Sequence, residues 1–177
     1  MREVIEIEDF LFQEELEFID REINSSIIPW HWNSASVTEK FPFFEHVIVP
    51  REENETDDMR VVSPLYEFFT TIQKRFCTVC EIPMEKIYRQ CINLTFPSDG
   101  EEYSEPHTDH EFVHKNMIIY LNDGYEMGET ILYNNDLTIG KKIEPKKGKV
   151  ICFDGSIDHG VRWIPRGRRI IFVSTWK

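Results

Sequence analysis

Three features of the amino-acid sequence predict a mainly β fold with α-helices, a β-sandwich or barrel whose N-terminal helices pack on one face. Before residue 87 two stretches repeat apolar residues at helical spacing; after it, short β-rich runs alternate with turn residues. The chain has 177 residues, 41% of them hydrophobic, enough to fill one real core. With no internal repeat or low-complexity linker, one domain over 1–177 is expected, in which 1–86 supports a β core at 87–177.

The elements follow in order. A short strand opens the chain, and Phe12, Leu16, Ile19 and Ile23 then recur as one helical stripe, with Asp9 available as N-cap and acids on the opposite face. Residues 27–50 carry two Trp, several Phe and the extended run HVIVP, which read as strands. The acidic REENETDD at 51–58 has almost nothing to bury and reads either as a solvated connection or as a lid beside a substrate site. Ser63-Pro64 signals a helix start, continued by Leu65, Phe69, Ile72, Phe76 and Val79. The runs IYRQCINLTF, NMIIYLN, ETILYNN, KVICFD and RRIIFVSTW are the expected strands of the core.

A formal net charge of −12 opposes a phosphate backbone, so nucleic acid is not an expected partner. The N-terminal MREVIEIEDF lacks a long apolar run, which argues against a signal or membrane segment and for an intracellular, cytoplasmic protein. Cys77 and Cys80 form a CxxC pair, but no second pair completes a tetrahedral metal site; with Cys91 and Cys152 they read as reduced structural thiols.

The chemistry-bearing stretch is EPHTDHEF. In an extended strand, residues two apart point to one face, so His107 and Asp109 can offer a nitrogen and an oxygen to one ion, with Thr108 and His110 turned away. Taken alone the pair is a weak signal, since either residue could be a solvated loop group. His159, just beyond the predicted strand at 149–153, is the candidate third ligand. Two histidines and one carboxylate that leave positions open make the facial triad of non-haem Fe(II) oxygenases. Arg169, ten residues after His159, opens the last predicted strand. Inside a barrel an arginine is costly unless it meets an anion, for which its planar fork suits a carboxylate; the other reading of RGRR is a basic turn before an edge strand. Arg168 should face the opposite way.

Over most of 87–177 the sequence resembles the 2-oxoglutarate and Fe(II)-dependent dioxygenases, in their prolyl-4-hydroxylase-like branch with its small bacterial and phage members. The resemblance rests on INLTFPSDGEEYSEPHTDH, IIYLND, GETILYNN, IEPKKGKVICFDGSIDHGV and PRGRRIIFVSTW in that order and spacing. It implies a double-stranded β-helix, a jelly-roll or cupin-like barrel. By the same resemblance His107, Asp109 and His159 hold Fe(II), and 2-oxoglutarate, bound through its keto-acid end, meets Arg169 with its far carboxylate. Tyr120 matches a tyrosine that often shares that carboxylate, and Gly128 and Thr130 match a Gly-rich step beside the cosubstrate pocket. Where several relatives carry a tyrosine before the HxD motif this chain has Phe96, which leaves Asn93 or Tyr103 to supply that hydrogen bond.

The implied reaction consumes O2, converts 2-oxoglutarate to succinate and carbon dioxide, and hydroxylates a primary substrate: a prolyl or other residue of a protein or peptide, or a small molecule. Ascorbate is a further reductant that the resemblance allows, and a phage-encoded enzyme acting in the host cytoplasm fits it too. No protein nucleophile is needed. Two rivals remain: a nucleic-acid demethylase on the same barrel, whose arginines lie farther beyond the distal histidine, and a non-catalytic cupin-like module that binds a metal or ligand. Substrate specificity is expected from 27–58 and the turn after Asp109.

Overall fold

The computed structural model describes residues 4–25, 27–35, 41–97 and 102–177. Part of the expected specificity segment (36–40) and of the turn before His107 (98–101) lies outside them. Ten strands are described, β1 (Ile5–Ile7), β2 (His31–Asn33), β3 (Phe43–Val49), β4 (Ile87–Thr95), β5 (Lys115–Tyr120), β6 (Thr130–Tyr133), β7 (Ile139–Ile143), β8 (Val150–Asp154), β9 (His159–Val161) and β10 (Arg169–Trp176). Two α-helices, α1 (Gln13–Phe18) and α2 (Tyr66–Val79), precede the core strands, and α1 widens into a π-helical segment at Ile19–Asn24. None of the described helices is long and apolar enough to cross a membrane.

Both helix starts differ from the sequence expectation. Asp9 does not cap α1: it sits in a turn at φ +53°, and its carboxylate pairs with Lys146 at 3.0 Å. Phe12 is the N-cap, and its N–H is taken by the Glu15 carboxylate at 2.8 Å, half of a capping box without a capping side chain. Ser63 and Pro64 form the lead-in to α2 rather than its first turn; the Ser63 hydroxyl accepts the Leu65 N–H at 3.2 Å and its carbonyl that of Tyr66 at 3.3 Å. Phe69, Ile72 and Phe76 form the buried stripe of α2, while Val79 at its end is exposed.

The strands form a seven-stranded sheet, β1-β8-β5-β10-β4-β3-β2, and a three-stranded sheet, β7-β6-β9, with antiparallel pairing throughout. Two of these strands were not expected. β7, IGKKI, is a partly exposed edge carrying Gly and two Lys, and β9 is three residues containing His and Gly, so neither shows an apolar run.

β10 explains how one strand serves two layers. Every residue of β10 is buried, and alternation sends Ile170, Phe172 and Trp176 toward the helices and Ile171 and Val173 toward the smaller sheet. Phe69 of α2 stacks on Phe172 at 4.1 Å, and the Gln73 side-chain Oε1 accepts from the Ser174 hydroxyl at 2.8 Å. On the inner face the register sets four rungs: Arg169 opposite Thr95, Ile171 between Asn93 and Tyr120, Val173 between Cys91 and Ile118, and Thr175 between Arg89 and Asn116. Successive rungs advance about 6.7 Å along the strand, so the first and last stand roughly 20 Å apart.

The 51–58 segment is not the freely solvated connection its composition suggests. Glu52 is buried and pairs with Lys86 at 2.8 Å; Asp57 accepts the N–H groups of Glu53 and Asn54 at 3.0 and 2.9 Å; Glu55 meets Lys177 at 2.7 Å. The four cysteines are free thiols, and burial pushes Cys77 up to about 11 and Cys152 up to about 12, which keeps both protonated and inert.

Candidate functional site

A cavity of about 350 Å³ lies between the two sheets, and His107, Asp109, His159, Arg169 and Thr130 all reach its wall. The HxD segment is not the extended strand that parity required. His107 makes one isolated bridge to β9, with its N–H donating to the His159 carbonyl at 3.1 Å and its carbonyl accepting the His159 N–H at 2.9 Å. Residues directly opposite in an antiparallel pair share a face, so the two rings meet at 4.5 Å. The chain then bends, which brings Thr108 to the cavity as well.

Each donor atom is oriented by what holds its other end. Nδ1 of His107 lies 3.2 Å from the Glu105 carbonyl, and Nδ1 of His159 lies 3.2 Å from the Ile157 carbonyl. A carbonyl only accepts, so both Nδ1 atoms carry a proton, and the Nε2 atoms are the ones available to face an ion. Asp109 Oδ1 accepts from Arg51 Nη2 at 2.9 Å and from Arg89 Nη1 at 3.0 Å, leaving Oδ2 toward His159 Nε2 at 3.4 Å. One donor atom from each of the three residues lies within 4.8 Å of the other two, compact enough for one ion. Arg51 also donates to the Asp109 carbonyl at 3.0 Å, and Arg89 spends its other amine on Glu45 at 2.8 Å.

The charge states suit metal binding. Burial and then the neighbouring His159 push His107 down to about 4, so it is neutral at pH 7. Burial alone would raise Asp109, but His159, Arg89 and Arg51 together hold it well below the usual carboxylate range. His110, expected to face away, is buried with Nε2 2.8 Å from the Thr175 hydroxyl, and His114 Nδ1 lies 2.8 Å from the Phe112 carbonyl.

At the opposite end Arg169 is only 3% exposed. Its Nε donates to the Gly128 carbonyl at 3.0 Å and its Nη2 to the Thr130 hydroxyl at 3.2 Å, and it has no carboxylate partner among the described residues. Gly128 adopts φ +83°, and a Cβ there would lie 2.7 Å from the Tyr125 ring, so both the backbone and the packing require glycine. Tyr120 lies under the guanidinium at 5.6 Å, with its hydroxyl 2.6 Å from that of Thr130. Asn93 lines the cavity, where it accepts from the Cys91 thiol at 3.4 Å. Tyr103 does not reach it: its hydroxyl accepts from Lys142 at 2.6 Å and it bridges Arg162, because 103–107 runs beside β9 with Tyr103 outside. Arg168 turns away, donating to the Asn24 carbonyl.

Among the polar cavity residues that sequence reading missed are Arg51, Arg89 and Asn116. Arg51 was absorbed into an acidic loop. Arg89 and Asn116 sit inside runs read as strands, where only the strand register shows which way they point.

Residues 92–176 match the family model of the 2OG-Fe(II) oxygenase superfamily. They are a 2OG-Fe(II) oxygenase domain. The chain is accordingly a 2-oxoglutarate- and Fe(II)-dependent dioxygenase, and its cofactors are Fe(II), 2-oxoglutarate and O2. Solved structures give the same fold at low identity. A 2OG-Fe(II) oxygenase family oxidoreductase from Burkholderia pseudomallei is similar at TM-score 0.77 and 15% identity, over 98% of this chain and 84% of that one. A Pseudomonas putida prolyl-4-hydroxylase gives TM-score 0.64 and 13% identity over 100% and 93%. A prolyl hydroxylase from Trichoplax adhaerens, in complex with a hypoxia inducible factor oxygen degradation domain peptide fragment, gives 0.65 and 13% over 98% and 83%. The two sheets are thus the halves of a double-stranded β-helix, as the resemblance implies. No curated protein matches the chain.

Proposed function

We propose that the chain hydroxylates a prolyl or other residue of a protein or peptide, with His107, Asp109 and His159 as Fe(II) ligands and Arg169 as the anchor for the far carboxylate of 2-oxoglutarate. The observation that carries this reading is Arg169, buried in the cavity that the triad lines and without a carboxylate among the described residues to pair with. A buried guanidinium lacking an anion is costly, and a dicarboxylate cosubstrate supplies one. The donor set fits the metal: two imidazole nitrogens and one ionised carboxylate oxygen, a set that leaves other positions of an ion open. Residues 1–86 support the barrel within one domain over 1–177.

When bound, Fe(II) with 2-oxoglutarate supplies the oxygen-activating chemistry, in which succinate and carbon dioxide form while one oxygen atom enters a substrate C–H bond. The chain's own work is positional. Arg51 and Arg89 occupy Asp109 Oδ1 and so present one oxygen to the ion, and the two backbone carbonyls fix the imidazole tautomers. Arg169 and Thr130 define where the cosubstrate ends, and Ile118, Ile171 and Val173 form an apolar wall that keeps water from its methylenes. A peptide substrate is favoured by the fold shared with prolyl hydroxylases, one of them in complex with a peptide.

Incubating the protein with Fe(II), 2-oxoglutarate, O2 and a library of proline-containing peptides tests the assignment. The expected result is succinate formation coupled to a mass gain of one oxygen on a peptide. Succinate formation with no peptide modified, but a small molecule oxidised instead, would replace the substrate class while keeping the site.

A further inference from the structure

Asn116 has one of the least satisfied side chains in the cavity wall. It is 1% exposed, and neither its side-chain nitrogen nor its oxygen has a hydrogen-bond partner among the described residues. An amide buried with both ends empty destabilises the fold relative to an apolar side chain of similar size, so packing alone does not favour it there. Its place in the sheet suggests what it meets. On one side its neighbour is Thr175, beyond which lies Arg89, whose guanidinium holds Asp109; on the other it is Phe153, whose ring touches that of His159 at 5.1 Å. Asn116 therefore stands at the triad end of the cavity. From there the inner face of β5 runs through Ile118 to Tyr120, which lies beside Arg169.

The wall thus reads polar, apolar, polar: an amide, then Ile118 with Val173 and Ile171, then a guanidinium. That is the polarity pattern of a 2-oxo dicarboxylic acid, whose two methylenes separate an oxo-acid head from a carboxylate tail. We propose that the Asn116 amide donates a hydrogen bond to the carboxylate of the 2-oxo-acid head of 2-oxoglutarate, so that the cosubstrate is recognised at both ends by the chain itself. The inference rests on the cavity being the 2-oxoglutarate site. A neutral donor suits this end, where Arg51, Arg89 and a bound metal already supply positive charge, while at the far end Arg169 is the one cation among the described residues of the wall.

Succinate separates the two ends, because it keeps the tail but lacks the head carboxylate. Affinities for 2-oxoglutarate and for succinate are measured calorimetrically with Mn(II) as a redox-silent metal, in the parent protein, Asn116→Val, Asn116→Asp and Arg169→Ala. Asn116→Val should weaken 2-oxoglutarate roughly ten- to a hundredfold, as for a lost hydrogen bond to a charged group, and leave succinate within about twofold. Asn116→Asp keeps the shape but sets a carboxylate against the anion, so it should weaken 2-oxoglutarate further; it carries the test alone if the valine variant does not fold. Arg169→Ala should weaken both ligands. Equal losses for both ligands, or no loss, in the Asn116 variants would overturn the proposal. A parent protein that binds neither ligand would instead overturn the reading of the cavity.

Discussion

At the triad end of the cavity the Asp109 carboxylate is gripped by two guanidinium groups, Arg51 at 2.9 Å and Arg89 at 3.0 Å, whereas at the other end the Arg169 guanidinium donates to a carbonyl and a hydroxyl and has no carboxylate partner among the described residues. The first region is electrostatically complete without a ligand, and the second is not. Completion at the first serves geometry, since a carboxylate pinned through one oxygen offers the other in a fixed direction. In the proposed function, incompleteness at the second serves affinity, since an arginine already paired within the chain would gain little from a second carboxylate. Asp109 and the buried Arg89 should therefore matter to stability, and Arg169 chiefly to binding.

The largest effect is expected from Asp109→Ala, which leaves Arg51 and Arg89 facing one another without their anion. A loss of about 3–5 kcal/mol in the metal-free protein, read from denaturant unfolding, is the expected cost of breaking so buried a pair. Next, Arg169→Leu should lower 2-oxoglutarate affinity about a hundredfold, near 3 kcal/mol, while metal-free stability shifts by no more than about 1 kcal/mol. If Arg169→Leu destabilises the metal-free protein as much as Asp109→Ala does, the two ends do not differ as described.

Protons sharpen the same contrast. His107 sits at about 4 in the folded chain, below its unfolded value near 6.5, so the unfolded chain binds the extra proton first. Stability of the metal-free protein should therefore fall as pH drops from 6.5 toward 4, by about 2 kcal/mol at pH 5 from this group. The depressed Asp109 carboxyl acts in the same direction at still lower pH. His107→Gln should reduce the slope, with His110, which burial also pushes down to about 4, keeping part of it; Arg169→Leu should leave it unchanged, since a guanidinium does not titrate there. The smallest effect is expected at Arg51: its side chain is 41% exposed, so solvent screens its pairing and Arg51→Gln should cost about 1 kcal/mol or less, against more for the buried Arg89.

Legibility in the sequence followed chain-local signals. The five core runs and the helical stripes were readable because apolar spacing records which face is buried, and His107, Asp109, His159 and Arg169 were readable as a motif. The reason the first three converge was not. Parity along a strand was the expectation, whereas an isolated bridge between His107 and His159 provides the facing. Asn116 and Arg89 were hidden because a polar residue within an apolar run looks like an outward position until a partner strand fixes the register. Tyr103 shows the converse, since nearness to the motif in sequence did not bring it to the cavity. Arg51 and Glu52 lie in a segment whose acidity reads as solvated, although long-range pairs with Asp109 and Lys86 hold it.

The most direct test of the account is anaerobic Fe(II) binding in the presence of 2-oxoglutarate, followed by the visible charge-transfer absorption that arises when a 2-oxo acid chelates ferrous iron. The parent protein should bind one equivalent and develop the band, His110→Gln and His114→Gln should retain it, and His159→Ala should lose both band and metal while remaining folded. Stoichiometric Fe(II) and an undiminished band in His159→Ala, with loss in His110→Gln, would contradict the assignment of the triad.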